Sequence, residues 1–193
     1  MTDDRWKDPR WRQLKAAPWT CPCCGEKHQG LPDLGIDRPV YCPADMPILE
    51  NDEAGDQTTF LTPDFCALDG DHPFVHGVLE LPILGAPGER FGLGLWSSLS
   101  RKSFLELIDT FDATSRDDVG PWFGWISNEL PGYPKMMRLA CRVQPRDGGL
   151  RPSLLLEPTD HPLAVEQREG VTLERIFEIF AACGHDISAA AAS

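Results

Sequence analysis

The sequence lacks any apolar run that reaches the roughly 20 residues of a membrane-spanning helix, and its first twenty residues lack the continuous apolar stretch of an export leader. The expectation is a cytoplasmic protein without a membrane partner. Basic residues are also scarce: 18 Lys and Arg stand against 30 Asp and Glu, for a formal charge of -12. Tracking a phosphate backbone needs clustered cations, so nucleic acid is not an expected partner. A paired disulfide framework is missing too. The 7 cysteines are odd in number and irregularly spaced, which fits thiols or metal ligands in a reducing compartment. There is no P-loop, no G-x-S-x-G and no H-E-x-x-H, and FGLGL lacks the third glycine of a dinucleotide fingerprint. No internal repeat is visible.

What is present suits one globular domain. The chain has 193 residues, 41% of them hydrophobic, and its 18 prolines and 17 glycines imply short elements joined by many turns. HPFVHGVLELPIL and RFGLGLWSSL, separated by the turn segment GAPGE, read as a hairpin of two strands. Ser100 then offers an N-cap for an amphipathic helix over RKSFLELIDTF. GPWFGWISNEL reads as a short strand or aromatic turn, and two further strands flank Asp147, Gly148 and Gly149. VTLERIFEIFAACG is a second helix, capped by Thr172, with Val171 and Ile176 placed as a hydrophobic staple and Gly184 as its stop. The predicted fold is α+β, a mainly antiparallel sheet with two main helices and an N-terminal zinc-knuckle-like segment. Residues 1–17, with Trp6 and Trp11, are expected to form a flexible arm, residues 18–183 a single domain, and residues 184–193 a frayed tail.

The densest chemistry lies in TCPCCGEKHQGLP, residues 20–32. Cys21 and Cys24 stand at i and i+3 on a turn, close enough to hold one tetrahedral ion at about 2.3 Å each. Gly25 permits the positive φ that lets backbone N–H groups face the sulfurs, and His28 is near enough to add a nitrogen. The other donor must come from elsewhere in the chain. Cys66 is the favoured distant ligand, with Cys42 and His72 as alternatives, and Cys141 and Cys183 sit in apolar stretches that suit core residues. A C-x-x-C redox pair is the rival reading, but such a pair normally opens a helix, and EKHQG carries no apolar stripe. Metal-free thiols remain a third reading.

Two other segments stand out. The polar stretch around His161, Gln167 and Arg168, between a strand and a helix, is read as a possible binding loop that folds back on the sheet, or else as an ordinary solvated connection. PWFGWISNELPGYP holds Trp122, Phe123, Trp125 and Tyr133, which either fill the core or line a cleft beside the His161 loop.

Together, CxxCGxxHxGLP, DFCALD, FVHGVLELPI, LWSSLS, WFGWISNELPGYP and EPTDHPLAVEQREGVTLERI resemble a bacterial family of uncharacterised proteins, domain of unknown function 2199. The resemblance spans about residues 19–180 and implies no activity. It singles out Cys21, Cys24, His28 and Cys66, leaves Cys23 and Cys42 outside the shared pattern, and draws attention to His161 and Arg168. The expected function is therefore a binding or regulatory module with one structural zinc and a protein partner. The alternative is a metal- or thiol-dependent enzyme that uses the cysteine cluster or the His161 loop.

Overall fold

Two long neighbouring strands organise the molecule, and each divides its outer edge between two partners. The computed structural model describes residues 8–188. Among these, the chain runs through α1 (Pro9–Ala16), β1 (Trp19–Thr20), β2 (Lys27–His28), β3 (Leu34–Gly35), β4 (Phe60–Leu61), β5 (Phe65–Leu68) and β6 (His72–Pro82). It continues through β7 (Arg90–Ser98), α2 (Arg101–Asp109), β8 (Trp122–Ile126), β9 (Ala140–Gln144), β10 (Ser153–Leu156), α3 (Pro162–Glu169) and α4 (Leu173–Ala182).

Strands β6 and β7 form the expected hairpin, antiparallel from Phe74 opposite Ser98 to Pro82 opposite Arg90. The outer edge of β7 pairs with β3 at Leu93 and Gly94 and with β8 at Ser97 and Ser98. The outer edge of β6 pairs with β5 through Val75 and with β10 at Val78. Since β8, β9 and β10 are successive antiparallel neighbours, strands β6 to β10 close into a small barrel, and β3 and the β4–β5 pair extend from it. Closure needs close approach where β10 joins β6. A Cβ on Gly77 would fall 2.7 Å from the Leu154 side chain and 2.9 Å from the Pro152 carbonyl, so only glycine fits.

The class is the expected one, α+β with a mainly antiparallel sheet; β3–β7 and β10–β6 are its parallel pairings among the named strands. Helix α2 is capped by Ser100, whose hydroxyl accepts from Ser103 N–H, and α4 by Thr172, whose hydroxyl accepts from Arg175 N–H. Each lays its apolar stripe on the barrel, with Phe104 and Leu107 buried in α2 and Leu173, Ile176, Ile179 and Phe180 in α4. The main core joins these to Leu79, Leu81, Phe91, Leu93 and Val143. A second, smaller cluster holds Cys42, Leu61, Cys66, Phe74 and Trp96.

Three segments differ from expectation. Residues 9–16 are a helix packed on the body rather than a loose arm: Pro9 opens it, Asp8 caps it, and Trp11 and Leu14 are buried. Trp6 lies outside the described residues. The polar stretch after β10 is largely helical, because His161 acts as N-cap, accepting from Leu163 N–H, and Pro162 occupies the first helical turn, where its missing N–H costs nothing. The start of the C-terminal tail is packed as well. Past Gly184 (φ 83°) the chain reverses, His185 N–H donates to the Phe180 carbonyl, and Ile187 is buried.

Candidate metal centre

The cysteine turn caps a very small hairpin. β1 and β2 pair Trp19 with His28 and Thr20 with Lys27. Between them Cys21 N–H donates to the Glu26 carbonyl at 2.7 Å, and Gly25 N–H donates to the Cys21 carbonyl at 2.9 Å. Gly25 adopts φ 77°, the left-handed conformation that the knuckle reading requires. The backbone N–H groups of Cys24 and Cys23 help to hold the Cys21 thiol down, as that reading also anticipates.

A hairpin with two residues per strand is marginal alone, and other elements hold this one. Gly30 N–H donates to the Leu14 carbonyl of α1, and Trp19 Nε1–H donates to the Gly30 carbonyl. Asp33 accepts from Gly92 N–H at 2.9 Å, so the chain enters β3 against the start of β7. Phe91 at that point packs on Phe180, with ring centroids 5.6 Å apart, and so brings the end of α4 to the same place. The result is a third donor that sequence reading missed. His185 Nδ1 stands 3.8 Å from Cys21 Sγ.

Cys21, Cys24 and His185 offer donor atoms all within 4.8 Å of one another, and Cys24, Glu26 and His28 form an overlapping group by the same measure. These residues line one cavity of about 180 Å³, which Phe180 and Ile187 border. A Cys/His cluster of this kind could hold a metal ion. Sulfur and nitrogen ligands at about 2.3 and 2.05 Å from a tetrahedral zinc lie about 3.6 Å apart, close to the Cys21–His185 separation.

The electrostatics favour a thiolate here. The His185 hydrogen bond, helped by the Cys24 and Cys23 N–H groups, pulls the Cys21 thiol down to about 6. For Cys24, the Glu26 N–H lowers the thiol, but the hydrogen bond and charge of Cys21, together with burial, outweigh it and raise the value. The two sulfurs thus compete for one proton.

Cys66 does not join this set. It lies on β5 opposite Phe74, which in turn lies opposite Ser98 on β7, whereas β3 meets β7 at Leu93. Five residues of strand separate the two levels, about 16 Å at 3.3 Å per residue. Cys66 is fully buried in the second core cluster beside Cys42, and burial, then the charge of Cys42, pushes its thiol far up. Cys42 shares that cluster and donates weakly to Met46 Sδ, and His72 is an exposed residue at the start of β6. Neither Cys42 nor His72 is in a donor group among the described residues.

The residues of the polar stretch work on the fold. Gln167 extends its amide along β10, accepting from Leu156 N–H at 2.8 Å and donating to the Leu154 carbonyl at 2.7 Å. Arg168 donates to the Thr159 and Ala164 carbonyls. His161 Nε2 hydrogen-bonds the Pro134 carbonyl, and Glu166 receives both the Tyr133 hydroxyl and Arg175 Nε. Of the aromatic segment, Trp122 is buried and donates to Glu106, while Trp125 is 44% exposed. Trp125 does line a cleft, but with Tyr41 and His72 rather than with the His161 stretch.

No curated protein and no solved structure is significantly similar to the chain. Residues 20–171, which include Cys21, Cys24, His28 and Cys66 but stop short of His185, match the model of uncharacterised proteins conserved in bacteria, domain of unknown function 2199, and the chain belongs to that family.

Proposed function

We propose that the protein is a binding or regulatory module whose N-terminal hairpin is pinned to its C-terminal helix by one structural zinc. Cys21, Cys24 and His185 are the ligands, and His28 completes a four-donor shell. The observation that carries this reading is the convergence of the three donors within 4.8 Å from opposite ends of the chain. The depressed Cys21 thiol and the N–H groups around its sulfur support it, because zinc takes thiolate ligands whose charge the backbone helps to balance. A site at the junction of a minimal hairpin, β3 and the end of α4 has a structural task, supplying stability that so small a hairpin lacks. A reducing cytoplasm, where the free cysteines stay unpaired, is the compartment that suits it.

Elemental analysis of protein purified without a histidine tag tests this. One zinc per chain, lost in Cys24→Ser and in His185→Ala, is the expected result. Cobalt exchange should give the intense d–d bands of a tetrahedral thiolate site, unchanged by added anions. Metal-free protein, or metal retained in both variants, would overturn the reading. Anion-sensitive cobalt bands would instead indicate an open coordination position and the catalytic alternative.

A further inference from the structure

A second cavity, of about 660 Å³, opens beside the Ser98 end of β7, the end remote from the cysteine turn. Phe74 and Ile126 form its buried floor, and Tyr41 and Trp125 are its exposed aromatic walls. This volume and an apolar lining with a few polar groups are those of small-molecule sites. In a chain of charge -12, no Asp or Glu lines it, whereas His72 and Arg138 do.

Arg138 is held there by an unusual piece of backbone. Its N–H donates to the Ile126 carbonyl, and Ile126 N–H donates to the Leu139 carbonyl, so two residues oppose one in a β-bulge. Arg138 occupies the bulge with φ 67°, a left-handed conformation that glycine normally takes. Bulges re-aim side chains, and this one carries a cation into the cavity wall. No side-chain partner is present for Arg138 or His72 among the described residues, and the neighbouring acid Glu129 is occupied by the Met136 and Met137 N–H groups.

We propose that this cleft binds a small planar aromatic carboxylate, with its ring against Tyr41 and Trp125 and its carboxylate on the Arg138 guanidinium. A single arginine fork matches a carboxylate in two parallel hydrogen bonds. Phosphate sites typically add a helix N-terminus or a nest of backbone N–H groups, and neither α-helix that begins near β7 or β10 contributes a lining residue. The assignment gives the binding module its ligand class. It rests on that half of the reading above and not on the metal.

The test is a titration of the 15N-labelled full chain, as purified, with 2-naphthoate and, in parallel, with uncharged 2-naphthamide. Naphthoate should shift the resonances of Ser98, Trp125 and Met137 saturably, and naphthamide should bind at least about tenfold more weakly, the loss expected for one charge-assisted contact. Arg138→Asn, chosen because asparagine tolerates the left-handed region, should reduce naphthoate to the naphthamide level and leave naphthamide unchanged. Absence of saturable shifts at millimolar probe, shifts centred elsewhere, or equal binding of acid and amide to the wild type would overturn the proposal. The acid–amide comparison needs no variant, so a poorly folded Arg138→Asn does not rescue it. Zinc content measured on the same samples separates the two readings: ligand binding without metal sinks only the zinc, and metal without ligand binding sinks only the cleft.

Discussion

Cys21 Sγ and His185 Nδ1 are 3.8 Å apart, although 164 residues separate them in sequence. A metal shared by these two atoms would cross-link nearly the whole chain. At free zinc a thousand times the dissociation constant, binding adds about 4 kcal/mol to stability, on the order of 10 °C in Tm for a chain of this size. A chelator should therefore lower the wild-type Tm by that order in scanning calorimetry. His185→Ala should melt near the chelated value and respond little to chelator. Equal chelator shifts in both proteins would remove His185 from the shell. Acid should release the metal, since thiols and imidazoles bind zinc only when deprotonated.

Cys66 separates the two thiol environments. Cys66→Ala should leave the zinc content intact and cost about 1–2 kcal/mol, the range for a sulfur-sized void in a packed core. Cys24→Ala should remove the metal. Urea midpoints read beside metal analysis check this pair, and loss of zinc in Cys66→Ala would contradict the placement of that residue in the Trp96 cluster.

The contrast between His185 and Cys66 shows what the sequence could and could not reveal. Local rules placed β6, β7, α2 and α4, because period, caps and turn residues lie within a few positions of what they specify. They also placed the Cys21–Cys24 turn. The third donor depends on Phe91 meeting Phe180, a tertiary contact with no local trace. His185 follows a helix-stopping glycine in an alanine-rich end, which by composition reads as a tail. Cys66 stands out as a cysteine between turn residues and a strand, yet strand register, not sequence context, decides which level of the sheet it occupies. A missed signal was available at His161 and Pro162, an N-cap followed by a first-turn proline, which marks a helix where a loop was expected.

His76 links stability to pH. It is buried and stacked on Trp96 with ring centroids 4.8 Å apart, Nδ1–H donates to the Pro63 carbonyl, and Nε2 has no hydrogen-bond partner. Burial, then the Arg151 guanidinium, which is itself paired with Asp64, lowers its pKa below the ordinary value. Below about pH 6.5 the unfolded chain takes up a proton that the folded chain refuses, so this contribution to stability is lost as pH falls. The slope is at most about 1.4 kcal/mol per pH unit from this one group. His76→Gln should be less stable near neutrality but should lose less stability between pH ~7.5 and ~5.5. Urea midpoints across that range decide it. Parallel curves for the two proteins would show that His76 titrates alike in the folded and unfolded chains.

Gln167 offers the sharpest test of why the polar stretch has its composition. β10 meets β6 by register only at Ser153 and Val78, and beyond that point the edge of β10 facing β6 has no strand to bond. The Gln167 amide supplies what a strand would, an acceptor for Leu156 N–H and a donor for the Leu154 carbonyl. Each backbone group left unpaired costs about 1–3 kcal/mol where water cannot replace the partner. Gln167 is only partly buried, so Gln167→Ala should cost about 2 kcal/mol, near the lower limit for two such groups. Gln167→Glu should be no better, because its carboxylate can accept from Leu156 N–H but faces the Leu154 carbonyl with another oxygen. Amide exchange discriminates this from a general packing loss: Leu156 N–H should lose protection in Gln167→Ala while Leu155 N–H, which faces β9 opposite Arg142 in the ladder, keeps it. If both amides stay equally protected, the side chain is not the missing strand, and α3 is held by the buried Leu163 and Ala164 and by the Glu166 and His161 hydrogen bonds instead.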